Sequence, residues 1–201
     1  MKMVIFTARG EGPALAYTQL HDLDDYDPQI IAVTFGPGFS VRRGEERYHP
    51  EIPQKLRVLF ASVGIKIVTS RLPFDLIEGA TAHNEQVKLI RDVLTLFGGA
   101  FSLSVQAVLQ ACDHGELEIG EKVISMTGDS AAIITACTTE KFLSKGCGLA
   151  IDEILCKARN LTISRGERPI HSVDENVQQK SMVASGLVRA LPFPKKDNPD
   201  K

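Results

Sequence analysis

The chain has 201 residues, with 23 lysines and arginines against 25 aspartates and glutamates, a formal net charge of −2 and 43% hydrophobic residues. That length suits one domain of ~100–200 residues with a tail, and the apolar fraction is enough for a single core. The near-neutral balance sets up no field toward nucleic acid or an anionic membrane surface, and no apolar run approaches the ~20 residues of a membrane span.

Met3-Val4-Ile5-Phe6 is too short an apolar run for a signal-peptide core. Cys112, Cys137, Cys147 and Cys156 lack CxxC spacing and sit in apolar surroundings. They read as buried thiols in a reducing compartment, not as a zinc site. These features predict a cytoplasmic protein with no metal.

In chain order, residues 3–7 are a strand and Ala8-Arg9-Gly10-Glu11-Gly12-Pro13 a turn, with Pro13 at the first helical position. A helix over 14–23 turns Leu20 and Leu23 inward. After an acidic linker at 24–28, the apolar run 30–34 is a strand covered on both faces. Residues 35–53 form a long loop carrying Gly36-Pro37-Gly38, then Arg42, Arg43, Arg47 and His49. A helix over 51–63 sets Leu56, Leu59, Phe60 and Val63 on one stripe, Gly64 caps it, and a strand follows at 65–70. A helix over 83–97 faces Val87, Ile90, Val93 or Leu94, and Phe97 inward, and Gly98-Gly99 stops it. The next helix, over 102–113, buries Val105, Val108, Leu109 and Cys112.

Residues 122–138 organise the rest. An apolar run at 122–126 is broken by Thr127-Gly128-Asp129-Ser130, and a β-branched run follows at 133–138. The spacing is too short for a crossover helix, so the two runs pair antiparallel, the second nearer the sheet edge. Residues 151–159 give a last strand, such as 154–158. Strands alternating with helices argue for right-handed βαβ units and a mostly parallel sheet. Residues 1–164 form this α/β domain. Residues 165–201 are a polar extension, with Val177, Ala184, Leu187, Val188 and Leu191 at helical spacing and a disordered end.

Residues 3–34, closing on Ile30-Ile31-Ala32-Val33-Thr34, resemble the strand–turn–helix–strand start of pyruvate kinase C-terminal domains. The order of later motifs is similar to small stand-alone proteins of that superfamily, mostly archaeal. These are Thr34 through Gly38-Phe39, Asp92 through Phe97-Gly98-Gly99, Val123 through Thr127-Gly128, and Ile151-Asp152-Glu153-Ile154 with Ala158-Arg159. The resemblance implies a three-layer α/β/α sandwich around a mostly parallel five-stranded sheet with one antiparallel edge strand. It implies a phosphate site in the first turn, where Arg9 and Gly12 replace two hydroxyl residues of the family. It also implies an extra helix before the first strand. Its lack here would expose apolar sheet beside Met3 and Phe6, which residues 174–191 or a second subunit would cover.

Two loops are therefore candidate ligand sites. Thr7, Arg9, Gly10, Glu11 and Gly12 offer converging N–H groups and a helix N-terminus, and Arg9 a bidentate donor. Thr127, Gly128, Asp129 and Ser130 sit at the same sheet edge, with Thr34 and Gly38 on the neighbouring loop. A plain strand-to-helix turn and a tight Gly-Asp hairpin explain the same residues without a ligand. The arginine loop reads as a solvated basic loop balanced by Glu45 and Glu46. His49, His83 and His114 read as surface or capping residues.

Three functions follow. The first is binding of a phosphorylated small molecule or nucleotide, flavin mononucleotide among them, without kinase chemistry. The second is a small hydrolase, since Gly128-Asp129-Ser130 resembles a nucleophile elbow and Ser130, Asp152 and His171 occur in esterase order. The third is a ligand-free subunit built to homo-oligomerise.

Overall fold

The computed structural model describes residues 1–21, 23, 28–43, 46–75 and 85–157. In chain order the elements are β1 (Met3–Phe6), α1 (Glu11–His21), β2 (Ile30–Phe35), β3 (Val41–Arg43), β4 (Glu46–Tyr48), α2 (Gln54–Ser62), β5 (Lys66–Ser70), α3 (Glu85–Leu94), α4 (Phe101–Asp113), β6 (Lys122–Met126), β7 (Ser130–Thr135) and β8 (Ala150–Lys157). Short 3₁₀ turns follow α3 at Thr95–Phe97 and β7 at Thr139–Lys141.

Among the described residues the main sheet has six strands in the order β5-β2-β1-β6-β7-β8. The pairs β5–β2, β2–β1 and β1–β6 are parallel; β6–β7 and β7–β8 are antiparallel. The chain is thus α/β with a mixed, mostly parallel sheet. The expected antiparallel pair is present, with Lys122 opposite Thr135 and Met126 opposite Ala131. Two expectations are corrected. The sheet has six strands, not five, and the strand that runs against the others, β7, lies nearer the edge than β6 as expected but is not the outermost. The segment 136–149 is long enough to return the chain antiparallel, so β8 pairs along β7 and takes the outer place. The long loop after β2 also holds a hairpin, β3 with β4.

Alternation along the strands divides the core in two. Val4, Ile31, Val33 and Val123 face α4, which is buried on nearly every side. Met3, Ile5, Ile30 and Ala32 face α1 and α2 through Ala14, Leu56 and Phe60. A helix this buried has no solvent for its polar side chains, so they bond inward. Ser104 Oγ donates to Ser125 Oγ at 2.7 Å, and Ser125 Oγ to the Ser104 carbonyl at 2.9 Å. Gln110 Nε2 donates to the carbonyls of Ser70 and Arg71, and Gln106 Oε1 accepts from the Phe74 N–H, which holds the chain leaving β5.

Several inward expectations fail at element ends. Helix α1 starts at Glu11, so Pro13 is its third residue, and Leu23 lies past its end and is exposed. Leu59 is exposed because α2 meets the sheet only through Leu56 and Phe60. Phe97 is exposed because the 3₁₀ turn winds three residues per turn, which rotates it off the stripe that Leu94 ends. Cys112 and Cys137 are buried, but Cys147, in the loop after β7, and Cys156, on the outermost strand, are exposed. His83 and the extension, including 174–191, lie outside the described residues.

Candidate small-molecule site

Leaving β1, the chain turns to one side of the sheet, through α1 to β2. Leaving β5 it returns, through α3 and α4, to β6 on the other side of β1. The loops that follow β1 and β6 therefore diverge. The crevice at such a switch point, beyond the carboxyl ends of parallel strands, is where open α/β sheets bind ligands.

A 680 Å³ cavity lies there. Thr7, Ala8, Glu11 and Gly12 line it from the β1–α1 turn, Met126, Thr127 and Gly128 from the end of β6, and Ala100 and Leu103 from the start of α4. Its floor runs down between α1 and the sheet, over Met3, Ile5, Leu15, Ala16 and Leu20. The size suits a drug- or nucleotide-sized molecule, and the walls are mostly apolar, as in such pockets generally.

The first turn is built by two of its own residues. The Gly10 N–H donates to Thr7 Oγ1 at 2.9 Å, and the Thr7 N–H to the Val33 carbonyl at 2.9 Å. The Thr7 O–H is a further donor at this turn. Gly10 has φ +94°, and a Cβ there would meet Leu56 Cδ1 at 3.1 Å and Ile52 Cγ2 at 3.3 Å. It thus faces α2, away from the cavity. Gly12 does line the cavity, and a Cβ on it would press on Ile5 Cγ2 at 3.3 Å, so glycine lets α1 lie close to β1. The N–H groups of Glu11 and Gly12, in the first turn of α1, have no intrahelical acceptor.

The second turn is a closed polar knot. The Thr127 N–H donates to the Ser130 carbonyl at 2.9 Å, and the two hydroxyls are 2.8 Å apart. Asp129 Oδ1 accepts from Ser130 Oγ at 3.1 Å and Thr127 Oγ1 at 3.2 Å, while Oδ2 accepts from the Ala100 N–H at 3.1 Å. Asp129 and Ser130 are buried behind Thr127 and Gly128. The anion at the start of α4 is therefore the protein's own carboxylate.

Of the sequence-derived candidates, Thr7, Glu11, Gly12, Thr127 and Gly128 meet in one cavity. Arg9 is exposed and does not line it. Thr34 is buried, its hydroxyl without a hydrogen-bond partner among the described residues, and Gly38 lines a separate 220 Å³ depression with Phe39 and Arg71. Among the described residues the only charged side chain on the cavity wall is Glu11. No protein-family model matches the chain, and no curated protein does. The site rests on its geometry.

Ser130 does not sit on a nucleophile elbow. A nucleophile elbow needs a helix after its serine, and Ser130 instead begins β7. Asp152 is engaged at the other end of that strand, accepting from Thr135 Oγ1 at 2.6 Å, and His171 lies outside the described residues. Among the described residues no group of three or more His, Cys, Asp or Glu is placed to hold a metal, and no single helix is long and apolar enough to cross a membrane. His114 caps the end of α4, its ring nitrogen 2.8 Å from the Gln110 carbonyl, and His49 is exposed.

Sequence reasoning missed the aromatic wall. Phe6 and Phe35 end neighbouring strands and both line the cavity. Their rings meet edge-on at 4.9 Å, and Phe39 stacks on Phe35 at 4.2 Å and 4°. A phenylalanine closing each of two adjacent parallel strands, just before the ligand-bearing loops, was the available signal.

Proposed function

We propose that this protein binds a phosphorylated small molecule or nucleotide at the strand-end cavity and performs no kinase chemistry on it. One observation carries the reading: two loops distant in sequence, after β1 and β6, converge on one apolar cavity at the switch point of the sheet. The apolar body of the ligand lies over Ile5, Leu15, Ala16 and Leu103. Its phosphate sits at the N-terminus of α1, within reach of the Glu11 and Gly12 N–H groups and the Thr7 and Thr127 hydroxyls. Flavin mononucleotide has this division into an apolar ring system and an anionic head, and the ring would lie along the Phe6–Phe35 wall. The helices on both sheet faces and the antiparallel β7 favour a three-layer sandwich related to pyruvate kinase C-terminal domains, in a cytoplasmic setting.

The test is the absorbance of the purified protein in the flavin bands, with mass spectrometry of small molecules released on denaturation. Calorimetric titration with flavin mononucleotide, a purine mononucleotide and a sugar phosphate follows on ligand-stripped protein. Ala16→Trp, which fills the floor and leaves the polar rim intact, should weaken binding by more than tenfold with little change in melting temperature. No co-purified phosphorylated molecule, together with no heat from any of the three, overturns the reading.

A further inference from the structure

Helix α3 has two apolar faces, and the fold uses only one. Val87, Ile90 and Leu94 join the core beneath it. On the opposite side Leu89, Val93, Leu96 and Phe97 are 64%, 45%, 64% and 40% exposed. Leu89 and Val93 lie one helical turn apart, so they share one outer face of α3, and Leu96 follows in the 3₁₀ turn. Single exposed leucines are ordinary, whereas a continuous row marks an interaction surface. One side of the row borders a 260 Å³ groove between Gln86, Ile90 and the turn at Phe142, where Leu143 is also exposed.

The charges beside the row decide what fits it. Lys88 and Asp92 are both exposed and lie one turn apart on the same flank. A two-fold axis perpendicular to α3 near Ile90 would bring two such helices together antiparallel, like flank against like flank. Lys88 of one copy then faces Asp92 of the partner subunit, and the same pair forms again by symmetry. Glu85 falls opposite the partner's Thr95, so no like charges meet, and the opposed helix dipoles also attract. We propose that the outer face of α3 docks a second copy of this chain, with Leu89 and Val93 as the buried centre and two Lys88–Asp92 pairs setting the register.

Sedimentation equilibrium on the full chain tests this without reference to any ligand. The wild type is expected at twice the monomer mass, and Leu89→Glu with Val93→Glu at the monomer mass with an unchanged circular dichroism spectrum. Lys88→Glu alone places two acidic pairs in the interface and Asp92→Lys alone two basic ones, each weakening the dimer about tenfold. Mixing these two single variants should restore wild-type affinity, because each hybrid pair is again opposite in charge. Intrachain effects of either substitution cannot be repaired by mixing. A monomeric wild type overturns the proposal, and if Leu89→Glu then also lowers the melting temperature, the row is covered by the chain itself. A dimer that survives the double glutamate variant places the interface elsewhere. Single variants that fail to recover on mixing overturn the antiparallel register.

Discussion

Asp129, on the turn between β6 and β7, accepts a hydrogen bond from the backbone N–H of Ala100, 3.1 Å away, and so ties the sheet edge to the start of α4. The same carboxylate also accepts from Thr127 and Ser130. Removing it leaves the buried Ala100 N–H without its acceptor and the Thr127 and Ser130 hydroxyls with only each other and the Ser130 carbonyl. Asp129→Ala should cost about 1–3 kcal/mol in urea unfolding, the range for one buried donor left unsatisfied. Asp129→Asn should cost less, since its amide oxygen still accepts from Ala100. A loss under 1 kcal/mol for the alanine variant would mean that water replaces the carboxylate.

Gly10 looks from the sequence like a ligand-approach glycine, whose replacement by valine would spare the fold and weaken binding. Its surroundings give a different expectation. At φ +94°, with Leu56 and Ile52 against the position of a Cβ, Gly10→Val combines backbone strain with overpacking in the α2 core. The variant should lose several degrees of melting temperature or fail to fold. Selective loss of binding with the melting temperature kept would restore the earlier role.

How much was legible depends on whether the cause is local. The parallel strands were readable because buried strands are continuous apolar runs, and the β6–β7 pair because its loop admits nothing longer. The outer strand β8 was only partly legible. Its residues are all exposed, so Ile151, Ile154 and Leu155 show no clean alternation, and bulges near Ala132 and Ile134 shift the register. The two site loops were legible as glycine-bearing turns after strands. Which side of each turn faces a ligand was not, because Gly10 is claimed by α2 and Asp129 by α4, both packing events distant in sequence. The apolar floor at Leu15 and Ala16 reads from sequence as ordinary inward helix face.

The four thiols should divide into two classes. Burial, with the Cys112 thiol beside it, pushes Cys137 up to about 11, and Cys112 is raised by burial and by Asp113 and Glu121. Cys147 and Cys156 are exposed. Disulfide-exchange reagent at neutral pH should label two thiols quickly and the other pair only after denaturant. A folded-state value above the unfolded one means that this contribution to stability is complete below the unfolded thiol range. It is lost as the pH rises from about 9 toward 11. Rapid labelling of all four in native protein would contradict the buried pair.

Edge strand β8 should loosen in acid. The Asp152 carboxyl is held below its usual range, first by the Thr135 hydroxyl and then by Lys122. With the folded value depressed, its stabilisation is present above the unfolded carboxyl range and fades as the pH falls below about 4. Amide exchange in β8, corrected for intrinsic rates and compared with β1, should accelerate over that interval. Asp152→Asn should remove the pH dependence and leave β8 at its acid rate throughout. Equal slopes for β1 and β8 in the wild type would mean that Asp152 does not pin the strand.

Glu11 gives the most direct reading of what the cavity accepts. Its carboxylate is the only charge on the wall among the described residues, and it stands in the first turn of α1, where the positive end of the helix favours an anion. A bound phosphate would compete for that end and meet the carboxylate's repulsion. Glu11→Gln keeps the shape, removes the charge and should tighten binding of a phosphorylated ligand about three- to tenfold, consistent with a partly screened pair worth ~1 kcal/mol. The gain should shrink as salt is added. The same substitution should lower thermal stability slightly without ligand, because the helix loses a favourable charge at its start. Weaker binding in Glu11→Gln would mean instead that the carboxylate accepts hydrogen bonds from the ligand, and that the head group at this helix end is a hydroxyl or amine donor rather than a phosphate.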